Sequence, residues 1–250
     1  MVCRLGLGLF ALAFAPGPAS AFNVDELVAK NVDARGGIDS IRAIKTLRME
    51  GQLRFAGDFG TIDLGFLQIK KAPDSIRTEA SVQGLTQVQA WNGKSGWKID
   101  PFQGRKDAER MSDDDARGLA DDAGIGGVLV DYKAKGSSIA YLGTEDVDGT
   151  DAHKLKVTLA NGDIQTVYLD PDHFVEIRTV SQRKVRGTEV EDVSDFGDYE
   201  RVAGVYFPFS IHSFTRGQGG QQQITIEKAE ANLAIDDSQY AFPGNSGSTP

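Results

Sequence analysis

The sequence predicts a mainly β (α+β) fold, in which helices cover the concave face of one strongly curved antiparallel sheet. From Thr46 onwards, apolar and polar residues alternate in about ten segments, as half-buried strands do. Asn-Gly and Asp-Gly pairs separate many of these segments, which is typical of an antiparallel meander. Helical patterns occur only before the first strand and near the middle of the chain. Because each strand is apolar on one face, the helices are expected to cover that face.

Residues 1–21 are expected to form a secretory signal peptide. Arg4 is the only basic residue, residues 5–15 are apolar, and residues 19–21 read Ala-Ser-Ala, an A-x-A cleavage signal. The apolar stretch is too short for a membrane span, although an uncleaved anchor or a buried N-terminal helix is the alternative. Cys3 precedes the apolar stretch instead of standing at the cleavage point, which argues against a lipid anchor.

The remaining chain is expected to form one domain over residues 22–243, followed by a flexible tail over residues 244–250. The 250-residue sequence holds 36 acidic and 27 basic side chains, for a net charge of −9. This charge argues against binding to nucleic acid and against docking on anionic lipid headgroups. An exported, soluble and acidic protein is the class that fits.

Four helical segments are predicted. The first begins after Asn23, a good N-cap, and ends at Gly36-Gly37; a short second helix covers residues 39–44. In the middle of the chain, Ser112 caps the acidic segment "SDDDARGLADD", whose charges are interpreted as a solvated helix start. The segment "GVLVDYKAKG", residues 127–136, is predicted to be another short helix.

No catalytic or metal centre is predicted. The three histidines, His153, His173 and His212, lack metal-ligand spacing, and zinc binding after cleavage of the leader would require all three to meet. The acidic segment "EDVDGTD" is interpreted as a β-turn at Asp148-Gly149, since it lacks the closing glutamate of a calcium loop. We therefore expect a non-enzymatic protein without cofactors; a hydrolase with dispersed carboxylates is the weakest alternative.

The excess of apolar side chains at alternating positions predicts a pocket. Most of them must pack the core, but a subset is expected to line a cavity large enough for lipid. The candidate ligand-binding residues are Leu47, Met49, Leu53, Phe55, Ile62, Leu64, Phe66, Trp91, Trp97, Val205, Phe207, Phe209 and Ile211.

Both tryptophans of the chain flank one predicted turn, in "WNGKSGW". Strands on either side of Asn92-Gly93 would bring Trp91 and Trp97 across from, or diagonal to, each other. Cross-strand aromatic pairs contribute about 0.5–1.5 kcal/mol beyond burial. Closure of a hairpin at the rim of the sheet is the favoured interpretation, and stacking on a ligand at that rim is the alternative.

A series of segments in order along the chain resembles one known family. They are "ARGG", "IRAIKTLRMEG", "AWNGKSGWKIDPFQG", "DVDGTDAHKLKVTLANGD", "YLDPDHFVEIR" and "GVYFPFSI". Together they resemble a divergent branch of the LolA/LolB-like superfamily of outer-membrane lipoprotein-sorting proteins. The resemblance implies an incomplete β-barrel with helices as a lid over an apolar cavity.

The same resemblance implies a function. It suggests a monomeric periplasmic carrier or chaperone that shields the acyl chains of lipids or lipoproteins, with inner- or outer-membrane sorting components as possible partners. A non-enzymatic envelope sensor or partner-binding module on the same scaffold is the alternative.

Overall fold

The computed structural model describes residues 22–58 and 60–244. Within these residues the α-helices are α1 (Val24–Ala34), α2 (Ile38–Ala43) and α3 (Asp113–Asp122). Short 3-10 helices cover Pro101–Gln103 and Asp237–Gln239. The strands are β1 (Thr46–Gly57), β2 (Gly60–Lys71), β3 (Ser75–Val82), β4 (Leu85–Asn92), β5 (Gly96–Asp100), β6 (Arg105–Arg110), β7 (Ser138–Val147), β8 (Thr150–Thr158), β9 (Ile164–Leu169), β10 (Glu176–Val185), β11 (Thr188–Val202), β12 (Val205–Thr215) and β13 (Gln221–Ala231).

All of these strands belong to one antiparallel sheet. Their order is β6-β5-β4-β3-β2-β1-β13-β12-β11-β10-β9-β8-β7. Two meanders, β1 to β6 and β7 to β13, are therefore joined where the first strand pairs with the last. The sheet is curved but does not close, and β6 and β7 are its free edges. The predicted fold, an incomplete antiparallel barrel with helices, is confirmed.

Local sequence sets the limits of α1 as predicted. The side chain of Asn23 accepts a hydrogen bond from the backbone N–H of Asp25 at 3.1 Å, which caps the helix start. The helix ends at glycines with positive φ, +118° at Gly36 and +87° at Gly37. A Cβ on Gly36 would lie 2.2 Å from the carbonyl oxygen of Gly204, so only glycine fits there.

The segment predicted to be a fourth helix, residues 127–136, is instead a run of turns. Its backbone adopts positive φ at Gly127 (+73°), Asp131 (+56°) and Gly136 (+76°). Each left-handed residue interrupts the right-handed helical path, so a continuous helix is impossible. The prediction of a helix here was wrong. The other predicted mid-chain helix exists as α3, with Ser112 accepting from Asp115 N–H at 3.2 Å.

The two faces of the sheet are covered by different parts of the chain. We call the helix-covered face the inner face and the opposite one the outer face. On the inner face, Leu27 of α1 packs against Leu155 and Val167, while α2 packs near β1 and β12. On the outer face, Trp97 packs with Phe242 of the C-terminal segment. None of the helices in the described part of the chain has the length and apolarity needed to cross a bilayer.

Candidate ligand-binding face

The register places the predicted pocket residues on the inner face, with the exception of Trp97. Leu53 pairs with Leu64 and Phe55 with Ile62 across β1 and β2. Ile211 of β12 pairs with Ile224 of β13, which in turn pairs with Leu53. Since directly paired residues share a face, these side chains form one continuous surface across four neighbouring strands.

One half of this surface is sealed by the helices and the turns that follow α3. Six predicted residues are almost fully buried there, against Ile41 and Ile44 of α2 and Ile125 and Val130 of the turns: Leu47, Met49, Phe66, Val205, Phe207 and Phe209. Close packing of this kind leaves these side chains in the core of the protein, where they hold the helices to the sheet. Leu64 is also buried, at the border of this half.

The other half of the inner face is open. Phe55 and Ile62 are 38% and 44% exposed, and Leu53, Ile211 and Ile224 are half-buried. We call these five residues the open apolar strip. Leu53 and Ile224 touch the buried cluster, so the strip continues the core outwards. The sequence analysis missed Ile224, although its alternation with Ile226 in "QQITIE" carries the signal.

The two tryptophans lie on opposite faces, so the predicted cross-strand pair was wrong. Trp91 pairs with Gly96, and Trp97 pairs with Ala90. The predicted hairpin is present as β4 and β5, and Asn92 Oδ1 accepts from the N–H groups of the two residues before Gly96, at 3.0 and 2.9 Å. This loop sets a register one residue away from the one that would align the indoles.

Each tryptophan has a different environment. Trp91 is half-buried on the inner face, whereas Trp97 is buried under the C-terminal segment. The indole N–H of Trp97 donates to the Tyr240 carbonyl at 2.9 Å, and the Arg77 guanidinium lies 5.4 Å from its ring centroid. Trp97 therefore fastens the C-terminal segment to the sheet and is not available to a ligand on the inner face.

Helix α3 crosses the inner face from one arm of the sheet to the other. It contacts β3, β4 and β5 on one side and β10 on the other. Ala116 packs where Gly96 leaves room: a Cβ on Gly96 would lie 2.8 Å from the Cβ of Ala116. The position of α3 thus depends on a glycine in the strand beneath it.

Polar contacts tie the ends of α3 to the sheet. Arg186 binds the Asp115 carboxylate at 2.8 Å and holds the pKa of that carboxyl below its usual range. Lys70 of β2 donates to the Asp122 carbonyl at 2.6 Å, and the Asn161 amide donates to Asp121 at 3.1 Å. The acidic charges of this helix were interpreted as a solvated cap, but those of Asp115 and Asp121 are bound to other parts of the fold.

Asp121 is a carboxyl of this region with a raised pKa. Burial, together with the nearby negative charge of Asp163, raises its pKa from 3.8 to about 6. Asp121, Asp163 and Gln165 line a cavity of about 10 Å³, roughly the size of one water molecule. Oδ2 of Asp163 and Oε1 of Gln165 are buried there without a hydrogen-bond donor among the described residues.

A buried arginine joins α1 to the turns beyond α3. Arg35 donates to the Gly126 carbonyl at 2.8 Å and lies 3.6 Å from the Glu176 carboxylate. The sequence analysis did not single out this residue. The signal was its place in "ARGG", where the following glycines turn the chain so tightly that the arginine faces the interior.

The histidines lie in separate environments. His153 is buried, accepts or donates one hydrogen bond with the Tyr141 hydroxyl at 3.1 Å and stacks on Phe174; burial lowers its pKa. His173 is exposed beside an aspartate, and His212 bonds Gln221 at 3.0 Å. Across residues 22–58 and 60–244, no group of three or more His, Cys, Asp or Glu side chains is placed to hold a metal ion.

No protein-family model and no curated protein sequence matches the chain. Solved structures do match its fold. A domain from Vibrio parahaemolyticus, assigned by its name to the outer membrane lipoprotein-sorting proteins, is 11% identical, with a TM-score of 0.58; the match covers 87% of this chain and 97% of that one. A LolA superfamily protein from Nitrosomonas europaea is 13% identical over 88% and 98% of the two chains, with a TM-score of 0.59.

A third structure extends the comparison. A DUF1329 family protein from Desulfovibrio piger is 14% identical, with a TM-score of 0.56 over 87% of this chain and 97% of that one. At these identities the comparison concerns the fold alone. The chain therefore has the fold of the LolA-like outer-membrane lipoprotein-sorting structures.

Proposed function

We propose that the protein is a non-enzymatic periplasmic carrier or chaperone that shields lipid or lipoprotein acyl chains on the uncovered half of its inner face. The observation that carries the proposal is the open apolar strip. Its members are exposed or half-buried, lie side by side across β2, β1, β13 and β12, and continue directly into the packed core. An exposed apolar surface that continues a core in this way typically marks a binding site.

Burial of hydrocarbon supplies the binding energy without any covalent step. Each methylene moved from water into an apolar contact contributes about 0.8 kcal/mol. A strip that covers one side of about ten methylenes gives roughly half of their full burial, or about 4 kcal/mol. Tighter binding requires that the hydrocarbon also be covered from above; α3 crosses the same face, where it contacts β3, β4, β5 and β10 instead of the strands of the strip.

The proposed location follows from the leader predicted at residues 1–21, which lie outside the described residues. We propose that it is removed, that residues 22–243 act as a single monomeric domain, and that sorting components of the inner or outer membrane exchange the cargo. The tail predicted at residues 244–250 lies, from residue 245 onwards, outside the described residues as well. The names of the matching structures support a link to lipoprotein sorting.

A second function rests on the sealed half of the inner face. Because the helices already fill that half, the same scaffold would also serve as a partner-binding or sensing module of the envelope with little or no lipid bound. The two functions differ in whether the open apolar strip carries hydrocarbon in the cell.

Native mass spectrometry of protein purified from the periplasm tests the proposal. We expect a polypeptide that begins at Phe22, with lipid masses that are released on extraction. In solution, a fluorescent fatty acid should bind and brighten. Substitution Ile62→Asp should abolish this uptake, since it places a charge in the strip at a position that is 44% exposed and so costs little stability.

The matched control is Leu142→Asp, a similar change at a 52% exposed leucine on the edge strand β7. It should leave uptake unchanged. Protein that purifies without lipid, or equal uptake by both variants, would rule out carriage on this face and favour the partner-binding module.

A further inference from the structure

Strands β12 and β13 are neighbours that separate partway along their length. Their pairing runs from Phe214↔Gln221 to Ser210↔Thr225 and then stops, although both strands continue. Pro208 has no N–H to donate to a neighbour. On the other side, the register between β1 and β13 shifts at Glu227, which is the extra residue of a bulge. Both features lie just beyond the last pair and account for the separation.

The separation opens a groove in the sheet, which we call the β12–β13 groove. Its volume is about 490 Å³, within the range of roughly 300–1,000 Å³ that is typical of binding clefts. Its lining is partly apolar and partly charged: Val202, Phe209, Ala231 and Leu233, with Glu200, Arg201, Glu227, Lys228 and Glu230. The groove thus combines apolar surface with three acidic and two basic side chains.

The backbone of β13 has one unused edge in this groove. Apart from the bulge residue Glu227, residues 226–231 pair with β1 on one side, and no described residue pairs with them on the other. The neighbouring strand β12 does not supply the missing partners, since Tyr206 N–H already donates to the Arg35 carbonyl at 2.9 Å and Pro208 has no N–H. An acyl chain has neither N–H nor C=O groups in a regular repeat, whereas an extended polypeptide presents both and adds to a free strand edge.

The charges of the groove favour a basic occupant. Glu200 and Glu227 are exposed, and neither has an ion-pair partner in the described part of the chain. The positive charge of Lys228 is engaged by Glu230 at 2.7 Å, and Arg201 is turned to the Gly204 carbonyl at 3.3 Å. The two carboxylates without ion-pair partners would pair with lysine or arginine side chains of an extended segment.

We propose that the β12–β13 groove binds an extended, basic segment of a partner protein, which adds as a strand along residues 226–231 of β13. This inference goes beyond acyl-chain shielding, because the groove uses backbone hydrogen bonds and carboxylates. The open apolar strip supplies neither of these to a ligand.

The test measures fluorescence polarisation of a labelled acetyl-(Lys-Val)4-amide peptide on the whole protein. The wild type should bind it saturably and bind the (Glu-Val)4 counterpart at least tenfold more weakly. Two further peptides carry methyl groups on every second backbone nitrogen, one at the odd positions and the other at the even positions. The peptide whose methylated nitrogens face β13 should bind at least tenfold more weakly than the unmethylated peptide. The double variant Glu200→Lys/Glu227→Lys should reverse the preference between the two peptides.

The matched control is Glu189→Lys/Asp107→Lys, which changes the net charge equally at exposed acids outside the groove. It should keep the wild-type preference. The substitution Ala231→Trp fills the groove and should abolish peptide binding. Circular dichroism reports whether this variant folds. If it does not fold, the charge variants decide the question.

Four results would overturn the inference. One is binding that is insensitive to methylation in both phases, and another is an unchanged preference in the groove double variant. The third is displacement of the peptide by a fatty acid in the wild type but not in Ile62→Asp, which would assign both ligands to the open apolar strip. Dimerisation that only the groove variant abolishes would identify a second copy of the chain as the occupant and equally refute a partner segment.

Discussion

Replacing Asp121 by asparagine isolates the effect of a half-buried carboxylate at the end of α3. The pKa of Asp121 is raised from 3.8 to about 6, so the native state holds this proton more tightly than the unfolded chain does. For an acid whose pKa is raised in the folded state, the free energy of unfolding is highest at pH values below the pKa of the unfolded chain. It falls as the pH rises towards the pKa of the folded state. The loss from this group therefore develops between about pH 4 and pH 6.

The size of the effect follows from the shift. One pKa unit corresponds to about 1.4 kcal/mol, so a shift of about two units amounts to at most ~3 kcal/mol. The amide oxygen of an asparagine side chain at this position would still accept the hydrogen bond from Asn161, but the amide would not titrate. We expect Asp121→Asn to have nearly wild-type stability at pH 4 and to be more stable than the wild type by about 1–3 kcal/mol at pH 7.

Urea unfolding between pH 4 and pH 8, followed by tryptophan fluorescence, measures this difference. Other carboxyls, such as Asp115 with its lowered pKa, change stability in the opposite sense, but they are common to both proteins and cancel. Asp107→Asn on the edge strand β6 is the control, and its difference from the wild type should not vary with pH. A constant difference for Asp121→Asn as well would refute the reasoning.

Three further predictions concern stability. Phe209→Ala should cost about 3–5 kcal/mol in urea unfolding, since this ring is buried in the core between sheet and helices. Trp97→Phe should cost about 1 kcal/mol by removing the hydrogen bond of the indole N–H, and limited proteolysis should then cut the C-terminal segment earlier. Gly51→Ala should lower the free energy of unfolding by about 1–3 kcal/mol or more, because a Cβ there would lie 2.0 Å from the Thr225 carbonyl oxygen. Gly65→Ala is its control and should be tolerated, since the nearest atom to a Cβ there lies at 3.8 Å. Thermal melts of both variants measure the difference.

Local rules of sequence predicted much of the fold correctly. The Asn23 cap, the glycines after α1 and the alternating strands depend on neighbours along the chain, and each was confirmed. The alternation also placed most candidate residues on the inner face. What it did not predict is which part of that face the helices cover. Phe209 and Ile62 have the same pattern in sequence, yet one is core and the other is exposed.

The errors share a physical cause, since each depended on a single residue of register or on a distant contact. A register one residue away from the expected one put Trp91 and Trp97 on opposite faces. Positive φ at Asp131 interrupts the segment that was predicted to be a helix. Pro208 did carry a usable signal: a proline inside an apolar strand argues against pairing on both sides, and the β12–β13 groove begins beside it.

The opening of the sheet and the helix that crosses it have one topological origin. Because β1 pairs with β13, the free edges belong to β6 and β7, which are consecutive strands in the chain. Residues 111–137, including α3, connect those two edges and so must span the opening.

Within this connection α3 buries only Ala116, whereas the turns after it bury Ile125, Leu129 and Val130. Exposed ion pairs such as Arg186–Asp115 contribute no more than about 1 kcal/mol each. The turns are therefore the fixed part of the connection, and α3 is the part whose separation from the sheet would cost the least free energy.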